Sequence, residues 1–309
     1  MITVIAGGVG AARFLQGLLA VQSPSQVTIV SNVGDDAEFF GLHVSPDIDS
    51  VLYHLSGLAD EERGFGITGD TYAVLEALPR YGYDTWFKLG DRDLATCLAR
   101  THLLRRGKTL TEATAELADA LMVPVTILPV TNDRLRTMIR TDDEVLEFQE
   151  YFVKRRTEGH AREIILEGVD KAAPSPGVIE AIREADGVII SPSNPLVSIA
   201  PALAVAGVRE ALRETEARVA AVSPIVGGRA LKGPADRMLR DQGMEASAVS
   251  IARLYEDFLD VLVIDETDEA LAPKIEALGV DVVVTDTIMK SMAKKSALAR
   301  TVLAALGAK

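Results

Sequence analysis

The sequence predicts an α/β protein with a doubly wound, mostly parallel sheet and a smaller inserted segment. Three observations carry that expectation. Short Val/Ile-rich runs alternate with helical patterns along most of the chain, as repeated strand–helix units require. Several of those runs, among them VTIVS, GVIIS and VDVVVTD, are continuously apolar and do not alternate, which suits strands covered by helices on both faces. The first run, Ile2 to Ala6, meets Gly7, Gly8 and Gly10 and then an amphipathic stretch, a strand–turn–helix unit.

The elements follow in order. After the opening unit comes the strand VTIVS ending at Ser31, then a helix that enters through SPDIDS and contains His54. TWFKL, ending at Leu89, reads as the next strand. Helical periodicity is good in LATCLARTHLLRRG and LTEATAELADALM, and VTILPV ending at Val130 is a strand. From about residue 132 to 171 the rhythm breaks. TMIRTDDEVLEFQEYFVKRR reads as a hairpin and a short helix with Tyr151 and Phe152, followed by the strand REIIL; the whole is an insertion in the sheet. The alternation then resumes with GVIIS, the helix ALAVAGVREALRE, the strands ARVAAVS, DVLVID and VDVVVTD, and the helix MKSMAKKSALARTVLAAL. No long Pro/Gly/Ser linker interrupts the chain, so residues 1–309 read as one composite domain containing the 132–171 insertion.

Composition bounds the partners. With 48% hydrophobic and 25% charged residues the chain buries an ordinary core. A net charge of −13 argues against nucleic acid, whose phosphates need clustered Lys and Arg; solubility is the plain reading of the acidity. The single cysteine, Cys97, excludes an intrachain disulfide and lies in an apolar helical pattern, as a buried thiol would. Neither a signal-peptide pattern nor an apolar run of about 18 residues is visible, so no membrane partner is expected and the cytoplasm is the expected location.

Glycines between a strand and a helix let backbone amides and the helix dipole hold a phosphate. The dinucleotide fingerprint G-x-G-x-x-G is met only by Gly8 and Gly10: its third glycine is replaced by Arg13. The second strand ends in Ser31 and Asn32, where a ribose-binding acid belongs. A nicotinamide cofactor is therefore disfavoured, and no G-K-[ST] marks a Walker loop. A purely structural turn stays open as the alternative, and Arg13 can face either a phosphate or solvent.

Ligands in such sheets bind beyond the carboxyl ends of the strands. SNVGDD brings Asn32, Asp35 and Asp36 there, SPDIDS brings Asp47 and Asp49, and KLGDRD brings Lys88, Asp91, Arg92 and Asp93. Clustered carboxylates repel unless a cation sits among them, and oxygen ligands without thiolates select a hard ion such as Mg2+. Each acid has a second reading as a helix cap, Asp91 and Asp93 most readily. SPSNPLVSI offers Ser193, Asn194 and Ser198, and SPIVGGRALKGPA offers Gly227, Gly228, Arg229, Lys232 and Gly233; both suit an anion, and both also suit ordinary loops.

Taken together, AGGVGAARFLQGL, SNVGDD, SPDIDS, WFKLGDRDLAT, FQEYFV, SPSNPLVSI and SPIVGGRALKGPA resemble, in order and nearly end to end, the 2-phospho-L-lactate transferases of coenzyme F-420 biosynthesis. The resemblance implies a Rossmann-like core, usually dimeric, and a phosphotransferase for substituted phosphate groups that requires magnesium. Its substrates would be the deazaflavin precursor 7,8-didemethyl-8-hydroxy-5-deazariboflavin (FO) and a guanosine diphosphate ester of 2-phospholactate or of an enolpyruvyl analogue. The ribityl hydroxyl of FO attacks the phosphorus bearing the acyl group, and GMP leaves. By the same resemblance Gly7, Gly8, Gly10, Arg13, Ser193, Asn194, Ser198, Gly227, Gly228 and Arg229 surround the guanosine diphosphate. Asp35, with Asp36, holds the metal, and Asp49 and Lys88 contact FO. Asp49 is then the expected base, with Asn32 and His54 beside the FO site. Trp86, Phe87 and His54 can line a flat ring pocket, although packing explains Trp86 and Phe87 equally well.

Two other functions compete. A nucleotide-sugar-binding regulator of the gluconeogenesis-factor family shares the fold and the glycine turn, but SPDIDS and WFKLGDRD belong to the transferase pattern. A nicotinamide-dependent oxidoreductase is weakened by Arg13 and Asn32. Loops do not reveal whether the acyl group is lactyl, enolpyruvyl or glyceryl.

Overall fold

A computed structural model describes residues 1–307. Seven strands form one all-parallel sheet: β1 (Ile2–Ala6), β2 (Val27–Ser31), β3 (Thr126–Pro129), β4 (Gly187–Ile190), β5 (Arg218–Val222), β6 (Val261–Asp265) and β7 (Asp281–Thr285). Their order across the sheet is β7-β6-β5-β4-β1-β2-β3. The chain starts at the centre, winds outward to β3, and returns to β1 on its other side through β4. Val4 pairs with Ile29 of β2 and with Ile189 of β4. The two windings diverge at β1 and β4, the switch point beyond whose strand ends ligands bind in such sheets. Burial of every residue of β1 and β4 explains why these runs are continuously apolar.

Helices α1 (Gly8–Leu19), α2 (Pro46–Leu55), α3 (Asp91–Arg105), α4 (Leu110–Ala120) and α5 (Met292–Ala305) carry or brace the site. α1 packs between α2 and α5. Its approach to α5 passes over Gly17, where a Cβ would lie 2.3 Å from the Lys295 carbonyl oxygen. Within 132–171, Arg136–Arg140 is the middle strand of a three-stranded antiparallel sheet, flanked by Val145–Glu147 and Glu163–Glu167. The helical turn Glu150–Lys154 joins the last two.

Two expectations fail locally. TWFKL is no strand: residues 84–90 run outside the sheet. The Phe87 ring stacks on Phe39 at 4.0 Å and 3°, and Trp86 meets both rings edge-on. The apolar character of the run thus serves an aromatic cluster. ALAVAGVREALRE is two helices, Ala200–Ala204 and Val208–Glu214, divided where Gly207 takes a φ of 82°. Among the described residues no single helix is long and apolar enough to cross a membrane.

Candidate active site

β1 runs directly into the glycine turn. Gly7 is the N-cap of α1, has no side chain to cap it, and Gly8 follows at a φ of 71°. The loop after β4 presses against this turn. A Cβ on Gly7 would lie 2.5 Å from the Ser198 carbonyl oxygen, and one on Gly10 would lie 2.0 Å from that of Pro192. The glycines are therefore required by packing alone, and the turn they form opens a twelve-residue helix, whose N-terminus favours an anion.

Asp47 faces the turn and accepts the Gly8 amide. Asn32, at the end of β2, donates from Nδ2 to Asp47 Oδ2 at 2.8 Å and to the Val197 carbonyl at 3.3 Å; its Oδ1 accepts the Gly34 amide at 3.0 Å. One buried amide side chain thus ties β2, α2 and the loop after β4 together. Burial pushes the Asp47 carboxyl up to about 7, against the pull of its bonds to Asn32 and Gly8. Asp35 is driven well above the usual carboxylate range, first by burial and then by Asp47 and Asp36. Asp36 accepts from Ser45 Oγ at 2.7 Å and lies 2.9 Å from His43 Nε2. Asp35 Oδ1 and Asp36 Oδ1 are buried without a partner. Unpartnered carboxylate oxygens among mutually repelling acids fit a hard divalent cation, which needs only one or two such ligands besides phosphate and water.

Asp49 points elsewhere. Two residues along a helix turn through about 200°, so Asp47 and Asp49 cannot share a face. Asp49 meets α3, where Arg100 NH1 donates to Oδ2 at 3.1 Å and NH2 to Oδ1. Arg100 is fully buried. Burial raises the Asp49 carboxyl, the guanidinium opposes that, and Arg100 stays charged. Both Asp49 oxygens are taken up by a charged partner, so its carboxylate first serves to hold α2 against α3. Asp49, Asp93 and Cys97 offer ligand atoms within 4.8 Å of one another, but the Arg100 guanidinium already supplies the cation there. Burial drives the Cys97 thiol far up, so it is inert.

The remaining residues divide. Ser198 stands against Gly8, and Ser193 Oγ lies 3.0 Å from Ser191 Oγ at the end of β4. Asn194 accepts the Leu196 amide at 3.0 Å and so caps the turn it begins. Gly227 and Gly228, at φ 56° and 77°, form a two-residue hairpin turn, which accounts for both glycines; Arg229 is exposed beside them. Arg13 donates to the Glu61 carbonyl at 3.0 Å instead of lying free. His54, lowered by burial and hence neutral, donates from Nδ1 to the Ser50 carbonyl at 2.7 Å and sits on the Glu61 side of α2. Lys88 is exposed. Asp91 caps Ala73–Ala77, accepting the Ala73 and Val74 amides at 3.0 Å, while Asp70 accepts the amides of Arg92 and Asp93 at the start of α3. Sequence reasoning gave no role to Glu61 or Lys295, whose buried ammonium bonds Glu61 Oε2 at 2.9 Å and Gln16 Oε1 at 2.6 Å.

Comparison with known proteins agrees with the resemblance. Residues 2–303 match the family described as 2-phospho-L-lactate transferase CofD. The chain is 41% identical over 310 residues to a phosphoenolpyruvate transferase of Kitasatospora aureofaciens, covering 98% of this chain and 97% of that one. It is 40% identical over 303 residues to the 2-phospho-L-lactate transferase of Methanothermobacter thermautotrophicus, with the same coverage. A crystal structure of a upf0052-family protein from Bacillus halodurans shares the fold, with a TM-score of 0.64 at 18% identity over 98% of both chains. The Rossmann-like sheet, the glycine turn and the end-to-end match together show that the chain belongs to the 2-phospho-L-lactate transferase CofD family.

Proposed function

We propose that this transferase moves a 2-phospholactyl or phosphoenolpyruvyl group from its guanosine diphosphate ester to the ribityl hydroxyl of FO, releasing GMP, in coenzyme F-420 biosynthesis. The observation that carries the mechanism is Asp47, held between the Gly8 amide and Asn32, beside the unpartnered oxygens of Asp35 and Asp36. Phosphoryl transfer needs positioning and charge neutralisation more than covalent chemistry by the protein. The first amides of α1 take a phosphate oxygen. Asp35 and Asp36 would hold magnesium, which when bound neutralises the diphosphate. Asp47, titrating near 7, takes the proton from the ribityl hydroxyl as its oxygen bonds to phosphorus and the bond to GMP breaks. Arg100 and Asp49 position α2, and through it Asp47. Relatives named for either acyl group are about equally similar, so the proposal covers both.

Calorimetry with GDP, GMP and NAD, each with magnesium, tests the ligand class. Guanine nucleotides should bind and NAD should not, and FO fluorescence should be retained by the protein. Tight NAD binding without guanine-nucleotide binding would remove the proposal.

A further inference from the structure

The inserted sheet reaches the acidic turn. The Thr137 amide, on its middle strand, donates to the Gly34 carbonyl at 2.7 Å. Gly34 is squeezed on two sides: a Cβ there would lie 2.7 Å from Thr137 Oγ1 and 2.9 Å from Pro201. Gln149, between the second strand and the helical turn, donates from Nε2 to Asp35 Oδ2 at 3.2 Å across 114 residues of sequence. That bond leaves Asp35 Oδ1 without a partner, and Thr137 Oγ1, 2% exposed, has none either. Gly34, Asp35, Asp36, Thr137 and Gln149 line a cavity of about 10 Å³, room for one water-sized occupant. Arg136 also borders it, but its charge is matched by Glu147 at 2.8 Å and by Glu167.

We propose that the inserted sheet completes the cation site: Gln149 is a positioning residue that holds one oxygen of Asp35 and leaves the other for the ion, and the Thr137 hydroxyl shares the cavity. This rests on the assignment of Asp35 to a divalent cation. The chemistry of the residue types supports it. A neutral amide orients a carboxylate without adding charge to an already repulsive cluster, and a hydroxyl is a hard oxygen donor compatible with magnesium. A glutamate at 149 would add a fourth acid to the cluster, and an aliphatic residue would leave Asp35 unoriented.

The test is Mn2+ binding to the full-length protein, followed by calorimetry and by the relaxation rate of water protons, with melting temperatures measured in the absence of metal. Asp35→Ala should abolish binding. Gln149→Leu should weaken it about 10–100-fold, as loss of an outer partner of a metal ligand does, and should add nothing further in the Asp35→Ala background. Thr137→Val, which keeps the shape and removes only the hydroxyl, should also weaken Mn2+ binding while leaving the melting temperature near wild type; it carries the test if Gln149→Leu does not fold. If the wild type binds no Mn2+, or Asp35→Ala binds it normally, the cation assignment itself fails. If Asp35→Ala loses binding while Gln149→Leu and Thr137→Val keep it within twofold, the insertion only packs against the turn and the inference is overturned.

Discussion

Asp47→Asn is expected to lower turnover a hundredfold or more and, at pH 8, to raise the melting temperature. The first effect follows from losing a general base, typically 10²–10⁴ in rate. The second follows from linkage. The Asp47 carboxyl moves from 3.8 to about 7 on folding, so between those values the folded protein binds more protons than the unfolded chain. Stability from this group therefore falls as pH rises through that window, and the whole penalty stands above pH 7. A shift of that size corresponds to roughly 4 kcal/mol as an upper bound, because each pKa unit is worth about 1.4 kcal/mol. Asparagine keeps the shape and removes the charge, but its amide can accept only part of what Asn32 and Gly8 donate, so a smaller gain of a few degrees is expected. Below pH 4 the two proteins should melt alike. Turnover within a few fold of wild type would exclude Asp47 as the base.

Asp49→Asn is expected to fail in the opposite way, by destabilising the protein. The substitution leaves the Arg100 guanidinium buried and unmatched, and arginine cannot shed its proton. Breaking a buried pair from one side typically costs about 3–5 kcal/mol. Arg100→Leu should be milder at neutral pH, because Asp49, already raised by burial, can protonate once its partner is gone. The double variant Asp49→Asn/Arg100→Leu should recover part of the loss, since neither charge then remains. Urea unfolding of the three variants measures this. Normal stability for Asp49→Asn together with a hundredfold loss of turnover would return the base to Asp49.

The spacing in SPDIDS already places Asp47 and Asp49 on different faces of α2. The central strands β1 and β4 were read correctly because burial on both faces leaves an unbroken Val/Ile signature, whereas β7, with the same signature, is a half-exposed edge strand. TWFKL carries a similar signature for a different reason: Trp86 and Phe87 pack against Phe39 in a loop cluster, and periodicity cannot separate a short apolar run in a sheet from one beside it. Arg100 carries no signal of its own in the sequence, because only the fold shows that Asp49 lies opposite. Gln149 lies in FQEYFV, one of the segments that carry the resemblance, but nothing in its spacing assigned it a role. Its role comes from the docking of the insertion onto a turn 114 residues earlier, and a long-range contact of this kind leaves no mark in spacing or composition.

Product formation tests the central claim most directly. Purified protein is incubated with FO, magnesium and either guanylylated 2-phospholactate or guanylylated phosphoenolpyruvate, and the mixture is followed by mass spectrometry. The predicted result is a species with the mass of FO joined through a phosphodiester to one of the two acyl groups, formed with one equivalent of GMP and lost when magnesium is withheld. Absence of that species with both donors, from folded protein that binds guanine nucleotide, would contradict it.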